Sequence, residues 1–491
     1  MYIYPDLTES FQTLWRSGLV ISPWLEGVGV ERFELDIHEL LGERSRECAL
    51  IHWTEVERGR VLGDLPAPER MAQIAVYETA ASTAVYLAHQ QTGELDVTES
   101  IAHEAMRRVE QFVDDHGFAT LMQLYMLETC WENLNALRHF GEIPERDYVL
   151  GLWHRPWVAY SLGEEVLFAS VLGNIELQKR GEHRFVRLTD EGCRVLRAAT
   201  DALQRAGYFR HRLETLRVSQ FSQFHNYDQM DQEIWPYAME QRQTFLTWAA
   251  VQPGQRVLEL GCADGVVTFA AGLAERVGPT GFVVAVDPST GMLARARRKQ
   301  YQAHVSWVEF RRGKAEQLPV QEERFDMALG VGYFHLTDRP QALREMKRVV
   351  RPGGVIASWH PLKMTFTAPF FREWFEPIFT LAAMREEQPK DYLLHPDDAP
   401  KDFENAGLEH VETFVSSSVL AFQHAEHVVQ HFIRGVGWFG EELAPLPWKA
   451  REALIEELME RGRFVCQRYS AQERRIEWPS QAIRARVPKN G

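Results

Sequence analysis

No run of about 18 consecutive apolar residues occurs anywhere in this chain, so a membrane-spanning helix is not expected. Paired cysteines are missing as well. The five present (Cys48, Cys130, Cys193, Cys262 and Cys466) include no Cys-x-x-Cys pair, which speaks against a disulfide framework or a zinc site and for a reducing compartment. Cationic excess is absent: 54 Lys and Arg stand against 69 Asp and Glu, a formal net charge of −15. Nucleic-acid binding draws on uncompensated cations, so a nucleic acid is not the expected partner. The opening MYIYPDLTESFQ lacks the charged and apolar regions of a secretory signal, and a cytoplasmic location is expected. What is there, 45% hydrophobic and 25% charged residues over 491 positions, describes a globular protein of two or three domains.

Residues 1–140 read mainly as helix. The stretch 65–93 has a proline-bearing start and a glycine stop; 98–117 opens on a capping Thr98 or Ser100 and closes at Gly117; 118–141 repeats the pattern with larger apolar residues. His103 has no second histidine at helical ligand spacing and reads as helix surface. Residues 141–217 change character, with a helix, two short strands around a turn at Lys179–His183, and a helix from Asp190. This pattern resembles the end of a winged-helix unit. Lys179, Arg180, Arg184 and Arg187 are candidate phosphate contacts, but Glu176, Glu182, Asp190 and Glu191 are interleaved with them, which favours a dimerisation or substrate-covering role. From 218 to 491 strand-like and helix-like segments alternate, as in a doubly wound α/β sheet. An aromatic-rich insertion at 362–395 and a helical segment at 424–465 interrupt the alternation.

The chemistry concentrates in VLELGCADG, residues 257–265, a strand running into a glycine turn. A phosphate-binding loop would need a Lys-Ser/Thr pair after the turn, and none follows Gly261. A dinucleotide fingerprint wants a glycine where Ala263 stands. VLELGCADG followed in order by VVAVDPS, GKAEQLP, RFDMALGVGYFHLTD and LREMKRVVRPGG resembles the class I S-adenosylmethionine-dependent methyltransferases. Within them it is most similar to the branch of ubiquinone and menaquinone biosynthesis. The resemblance covers roughly 225–360 and implies a Rossmann-like sheet with S-adenosylmethionine as cofactor. It implies that Glu259, Gly261, Ala263 and Gly265 lie against the methionine part and that Asp287 accepts from both ribose hydroxyls, a carboxylate suiting a vicinal diol. It sets Met292 against the adenine, Ala315 and Glu316 at the adenine edge, and Gly330 and Val331 beside the cofactor. Two positions depart from the family pattern: Ala263 replaces a glycine, and Lys314 stands where an aspartate often accepts from the adenine amino group, which a lysine cannot do.

Methyl transfer is an in-line displacement that asks for positioning and water exclusion. Where the acceptor carries a proton, His335 and His360, at the exits of the fourth and fifth strands, are the candidate bases. The aromatic residues of TFTAPFFREWFEPIF and GVGWFG either stack a planar substrate or pack the insertion's own helices. His424, His427 and His431 share a helical face without a complementary ligand set, and no metal is expected. The run after the fourth strand is GVGY rather than the Pro-Pro-aromatic run of nucleic-acid amino methylation, and the vicinal cysteines of arsenic methylation are lacking. The expectation is therefore methylation of an O, C or N atom of a small organic molecule by a homodimer. A winged-helix regulator that senses S-adenosylmethionine or a metabolite is the alternative.

Overall fold

The computed structural model describes residues 4–22, 68–92, 97–149, 151, 153, 170, 172–224, 227–383, 393–436 and 438–489. They fall into two compact units, Met1–Ser219 with Gly437–Glu457, and Gln220–Val436 with Leu458–Gly491. Among the described residues no helix is long and apolar enough to cross a membrane.

The first unit is built on α1 (Thr8–Arg16), α2 (Pro68–Thr92), α3 (Glu99–His116) and α4 (Phe118–Phe140). Thr98 caps α3 by accepting from Ile101 N–H, and Gly117 ends it at a positive φ. Strand β1 (Glu142–Pro144), α5 (Glu145–Val149), β2 (Ile175–Arg180) and β3 (His183–Leu188) follow, and the antiparallel sheet runs β1-β3-β2. Thr189 then caps α6 (Asp190–Ala206), which leads to α7 (Tyr208–Gln223). The strands at the expected turn form a hairpin with a helix behind it, whereas the helix expected ahead of it falls largely on residues 154–169, outside the described residues. Each arginine of the hairpin has a carboxylate partner: Arg180 with Glu142 at 2.7 Å, Arg184 with Glu145 at 2.5 Å and Arg187 with Glu176 at 2.9 Å.

In the second unit, α8 (Tyr227–Ile234) and α9 (Ala238–Trp248) precede a seven-stranded sheet of order β6-β5-β4-β7-β8-β10-β9. Its strands are β4 (Arg256–Leu260), β5 (Phe282–Asp287), β6 (Val308–Arg312), β7 (Phe325–Val331), β8 (Val350–Pro361), β9 (Glu409–Ala421) and β10 (Arg475–Arg486). The first five are parallel, and β10 is antiparallel to both β8 and β9. Both faces of the parallel strands are covered, which is why they read as near-continuous apolar runs. Val257, Ala285 and Leu329 pack with Phe245, Leu273 and Leu293. Leu258, Val284 and Ala328 pack in a second core with Leu343, Met346 and Phe403. Strand order reverses on either side of β4, so the turn after β4 lies at the switch point where open α/β sheets bind ligands.

The segment after that turn differs from the single regular helix its sequence suggests. Val266–Ala270 forms a π-helical turn, Gly272 takes φ +85°, and only then does α10 (Leu273–Val277) start. Gly272 breaks the run because it adopts a left-handed conformation that other residues avoid. The flanking α11 (Thr290–Ala303), capped by Ser289, and α12 (Arg339–Val349), capped by Asp338, are regular. In the insertion, Phe370, Phe371, Trp374 and Phe375 of α13 (Pro369–Ala383) are fully buried, and Trp374 donates through Nε1 to Leu458 O at 2.8 Å. These aromatics form a packed core rather than an open stacking surface.

Candidate functional site

The chain leaves β4 through three left-handed residues, Gly261 at φ +65°, Ala263 at +47° and Gly265 at +86°. Glycine takes this conformation freely, whereas for alanine it costs about 1–2 kcal/mol. Ala263 is held there by what its amide meets. Its N–H donates to Oδ2 of Asp287 at 2.9 Å, while Ser289 N–H donates to Oδ1 at 2.8 Å. The carboxylate ending β5 is thus oriented by two backbone amides and keeps acceptor capacity for two further donors, the number a vicinal diol supplies. Burial pushes Asp287 up to about 6 and the nearby Asp264 adds to that, while the two amides pull it down.

Glu259 lies beneath the turn rather than on its surface. Its Oε2 accepts from Thr268 Oγ1 at 2.6 Å, its Oε1 has no partner, and burial raises it to about 8. Asp264, inside the turn, takes Nζ of Lys299 on Oδ2 at 2.8 Å and leaves Oδ1 without a partner. Unmatched acceptors under a glycine turn, with an oriented carboxylate beside it, suit a cationic nucleoside. They do not suit a polyphosphate, which asks for free backbone N–H groups, because the Ala263 N–H is already taken by Asp287 and the neighbouring unmatched atoms are acceptors. The one lysine at the turn is already held between Asp264 and Asp228. The residues therefore fit S-adenosylmethionine.

Sequence reasoning missed Tyr333. A Cβ on Gly261 would lie 2.7 Å from Tyr333 Cβ, and one on Gly330 would lie 2.4 Å from both Leu260 O and the Tyr333 ring. These two glycines are needed for the tyrosine to fold back against the ends of β4 and β7, where its hydroxyl reaches Met346 Sδ at 3.3 Å. The signal was in GVGY, an aromatic just past a strand-ending glycine, but nothing local names its target. Gly330→Ala is expected to destabilise the protein by about 1–3 kcal/mol, because a backbone carbonyl of the neighbouring strand must move. Thermal unfolding checks it, and an unchanged midpoint would remove this role for Gly330.

The other expected residues scatter more. Met292 is buried in the first turn of α11, its N–H on Ser289 Oγ at 3.2 Å. Ala315 and Glu316 lie in the loop after β6, where Glu316 Oε1 accepts from Asp338 N–H at 2.8 Å and so anchors the start of α12. Val331 pairs in register with Trp359. His335 is buried in the short turn Phe334–Leu336. His360 ends β8 with its ring 5.7 Å from Phe334 and neither ring nitrogen in a well-aligned hydrogen bond. Burial pushes His360 down to about 4, partly offset by Gln481, opposite it on β10. The structure thus brings the turn of Gly261 and Ala263 onto Asp287 at the end of β5 and sets His360 against the turn that carries His335.

The three histidines of 424–431 do not share a face. His427 Nδ1 lies 2.5 Å and His424 Nε2 3.8 Å from Glu233 of α8, whereas a π-helical turn, Val429–Val436, takes His431 into the interior near Tyr227. Among the described residues no group of three or more His, Cys, Asp or Glu is arranged to hold a metal ion.

A family profile described as a methyltransferase domain matches residues 257–354. The 2-phytyl-1,4-naphthoquinone methyltransferase of Synechococcus elongatus is 31% identical over 188 residues, which cover 37% of this chain and 76% of that protein. The protein of the same name from Trichormus variabilis is 36% identical over 138 residues, 26% of this chain and 57% of its own length. The ubiquinone/menaquinone biosynthesis C-methyltransferase of Xanthomonas oryzae is 39% identical over 137 residues, 28% of this chain and 51% of its own. These matches show that the chain belongs to the S-adenosylmethionine-dependent methyltransferases, similar to those of quinone biosynthesis, with S-adenosylmethionine as its cofactor.

Proposed function

We propose that this chain methylates a small aromatic hydroxy compound of the quinol class. The names of its relatives and the oriented Asp287 at the switch point support the reading. When bound, the cofactor supplies an electrophilic methyl group on a sulfonium. The protein's part is to hold the nucleoside through the 261–265 turn and Asp287, to exclude water, and to take the acceptor's proton. In this reading His360 near the end of β8, kept neutral by burial, or His335 in the turn after β7 receives the hydroxyl proton. Loss of that proton makes the ring carbon or the oxygen nucleophilic. The first unit acts in this reading as a dimerisation and substrate-covering element in the cytoplasm. The paired hairpin arginines support a role away from nucleic acid and leave a regulator reading without an observation in its favour.

The reading is tested by titrating adenosylhomocysteine calorimetrically, then incubating enzyme and S-adenosylmethionine with a reduced 2-alkyl-1,4-naphthoquinol and, in parallel, a catechol. Binding followed by gain of one methyl on the naphthoquinol is expected. Methylation of the catechol alone would reject the quinol class, and absence of binding would reject the cofactor site.

A further inference from the structure

Lys299 lies in the third turn of α11, at a position the cofactor reading does not use, and its Nζ is 2.8 Å from Asp264 Oδ2 inside the turn and 2.6 Å from Asp228 Oδ2 on α8. Asp264 is almost wholly buried, and the preceding residue is the left-handed Ala263 whose N–H aims at Asp287. We propose that Lys299 is a positioning residue for the cofactor turn: by neutralising Asp264 it holds Ala263 in its left-handed conformation and thereby fixes Asp287 for the ribose hydroxyls. The proposal rests on the reading of 261–265 as the cofactor site.

The physical case is one of charge balance in a buried place. Without Lys299 the Asp264 carboxylate would face the Asp287 carboxylate with too little compensation, and the turn would relax toward solvent or take up a proton. An alanine at positive φ persists only where its surroundings hold it: the Ala263 N–H is held by Asp287, and the next residue, Asp264, is held by Lys299. The groups facing Asp264 are Lys299 and Arg295 of α11, Asp228 and Tyr227 of α8, Arg242 of α9, Asp287 at the end of β5 and Cys262 of the turn itself. Burial pushes Asp264 up to about 6, with Lys299 pulling it down and Asp228 pushing it up. Below that pH Asp264 is protonated in the wild type too, so loss of the lysine matters most above it.

Adenosylhomocysteine is titrated into the wild type and into Lys299→Met, Lys299→Arg, Asp264→Asn, Asp228→Asn and the double variant D264N/K299M, between about pH 5.5 and 8.5. Lys299→Met is expected to bind roughly tenfold or more weakly at the alkaline end and to approach the wild type at the acid end. Lys299→Arg should stay within about threefold, since it keeps the charge. The double variant should be no weaker than Lys299→Met alone, as for two residues acting through one contact. The proposal is overturned if Lys299→Met binds like the wild type at every pH. It is also overturned if Asp228→Asn alone reproduces the loss while the double variant falls further, which would place the lysine's effect on α8. Should Lys299→Met fail to fold, the double variant decides: folding with near-wild-type binding supports the proposal, because with the charge of Asp264 gone the lysine has nothing to neutralise, and a double variant that stays unfolded or binds roughly tenfold more weakly overturns it. If the wild type itself does not bind, the cofactor reading fails, a result distinct from a wild type that binds with Lys299 irrelevant.

Discussion

Asp287→Ala is expected to weaken binding of S-adenosylmethionine and adenosylhomocysteine by about 1–3 kcal/mol, the usual contribution of hydrogen bonds to a charged acceptor. Two losses combine. The ribose hydroxyls lose their acceptor, and Ala263 N–H and Ser289 N–H lose the carboxylate that orients both turns. Calorimetry over a range of pH separates this from general damage. In the free protein Asp287 is pushed up to about 6 by burial, and diol hydrogen bonds to the ionised form pull its pKa down in the complex. Ligand binding therefore expels a proton from Asp287 when pH lies between the bound and free values. Wild-type affinity should rise with pH up to about 6 and then level as far as this group is concerned. Glu259, raised to about 8, and Asp264, raised to about 6, extend the dependence for S-adenosylmethionine, whose sulfonium favours their ionised forms, more than for neutral adenosylhomocysteine. Asp287→Ala should lose the limb below pH 6 that belongs to Asp287. Unchanged affinity, or an unchanged acid limb, would remove Asp287 from the site.

How much of this could be read from the sequence depended on how local the signal was. Strands β4, β5 and β7, the turn between Leu260 and Val266, and Asp287 each sit in a short apolar run ending in a glycine or an acid, so sequence placed them. The family resemblance then ordered them. The π-helical turn at Val266–Ala270 was not legible, because nothing in VVTFA distinguishes it from a regular helix except Gly272 beyond it. Likewise His431 follows His424 at a spacing that a regular helix would align, and the π-helical turn moves it off that face. Tyr333, Lys299 and Arg242 were missed for a different reason. Each acts through a partner that is tens of residues away or on another element, and one sequence carries no record of such pairing. Glu259 is a mixed case: its identity pointed to the site, but its burial against Thr268 makes it a support under the turn rather than a surface contact.

Asp231→Ala is expected to cost the second unit about 3–5 kcal/mol of stability, the largest effect foreseen for a single substitution here. Asp231 and Arg242 form a two-pronged pair, Nη1 to Oδ2 at 2.6 Å and Nη2 to Oδ1 at 2.8 Å, with both residues buried. Arg242 Nε has no partner, so removing Asp231 strips the guanidinium of its carboxylate. The nearby Asp264 carboxylate acts on Arg242 as well, but it is already paired with Lys299. Tyr227 stays protonated because burial raises it, and His431, pushed down to about 4 by burial, is neutral at pH 7. Removing the carboxylate thus leaves a largely buried cation without its partner, whereas replacing both members as Asp231→Leu with Arg242→Met should recover most of the loss. Because the chain holds two units, its unfolding need not be a single transition. The relevant one is that whose midpoint adenosylhomocysteine raises, since a ligand stabilises the unit that binds it. That transition should fall steeply in Asp231→Ala and return in the double variant. If the single and double variants are equally destabilised, packing volume rather than the stranded arginine is responsible.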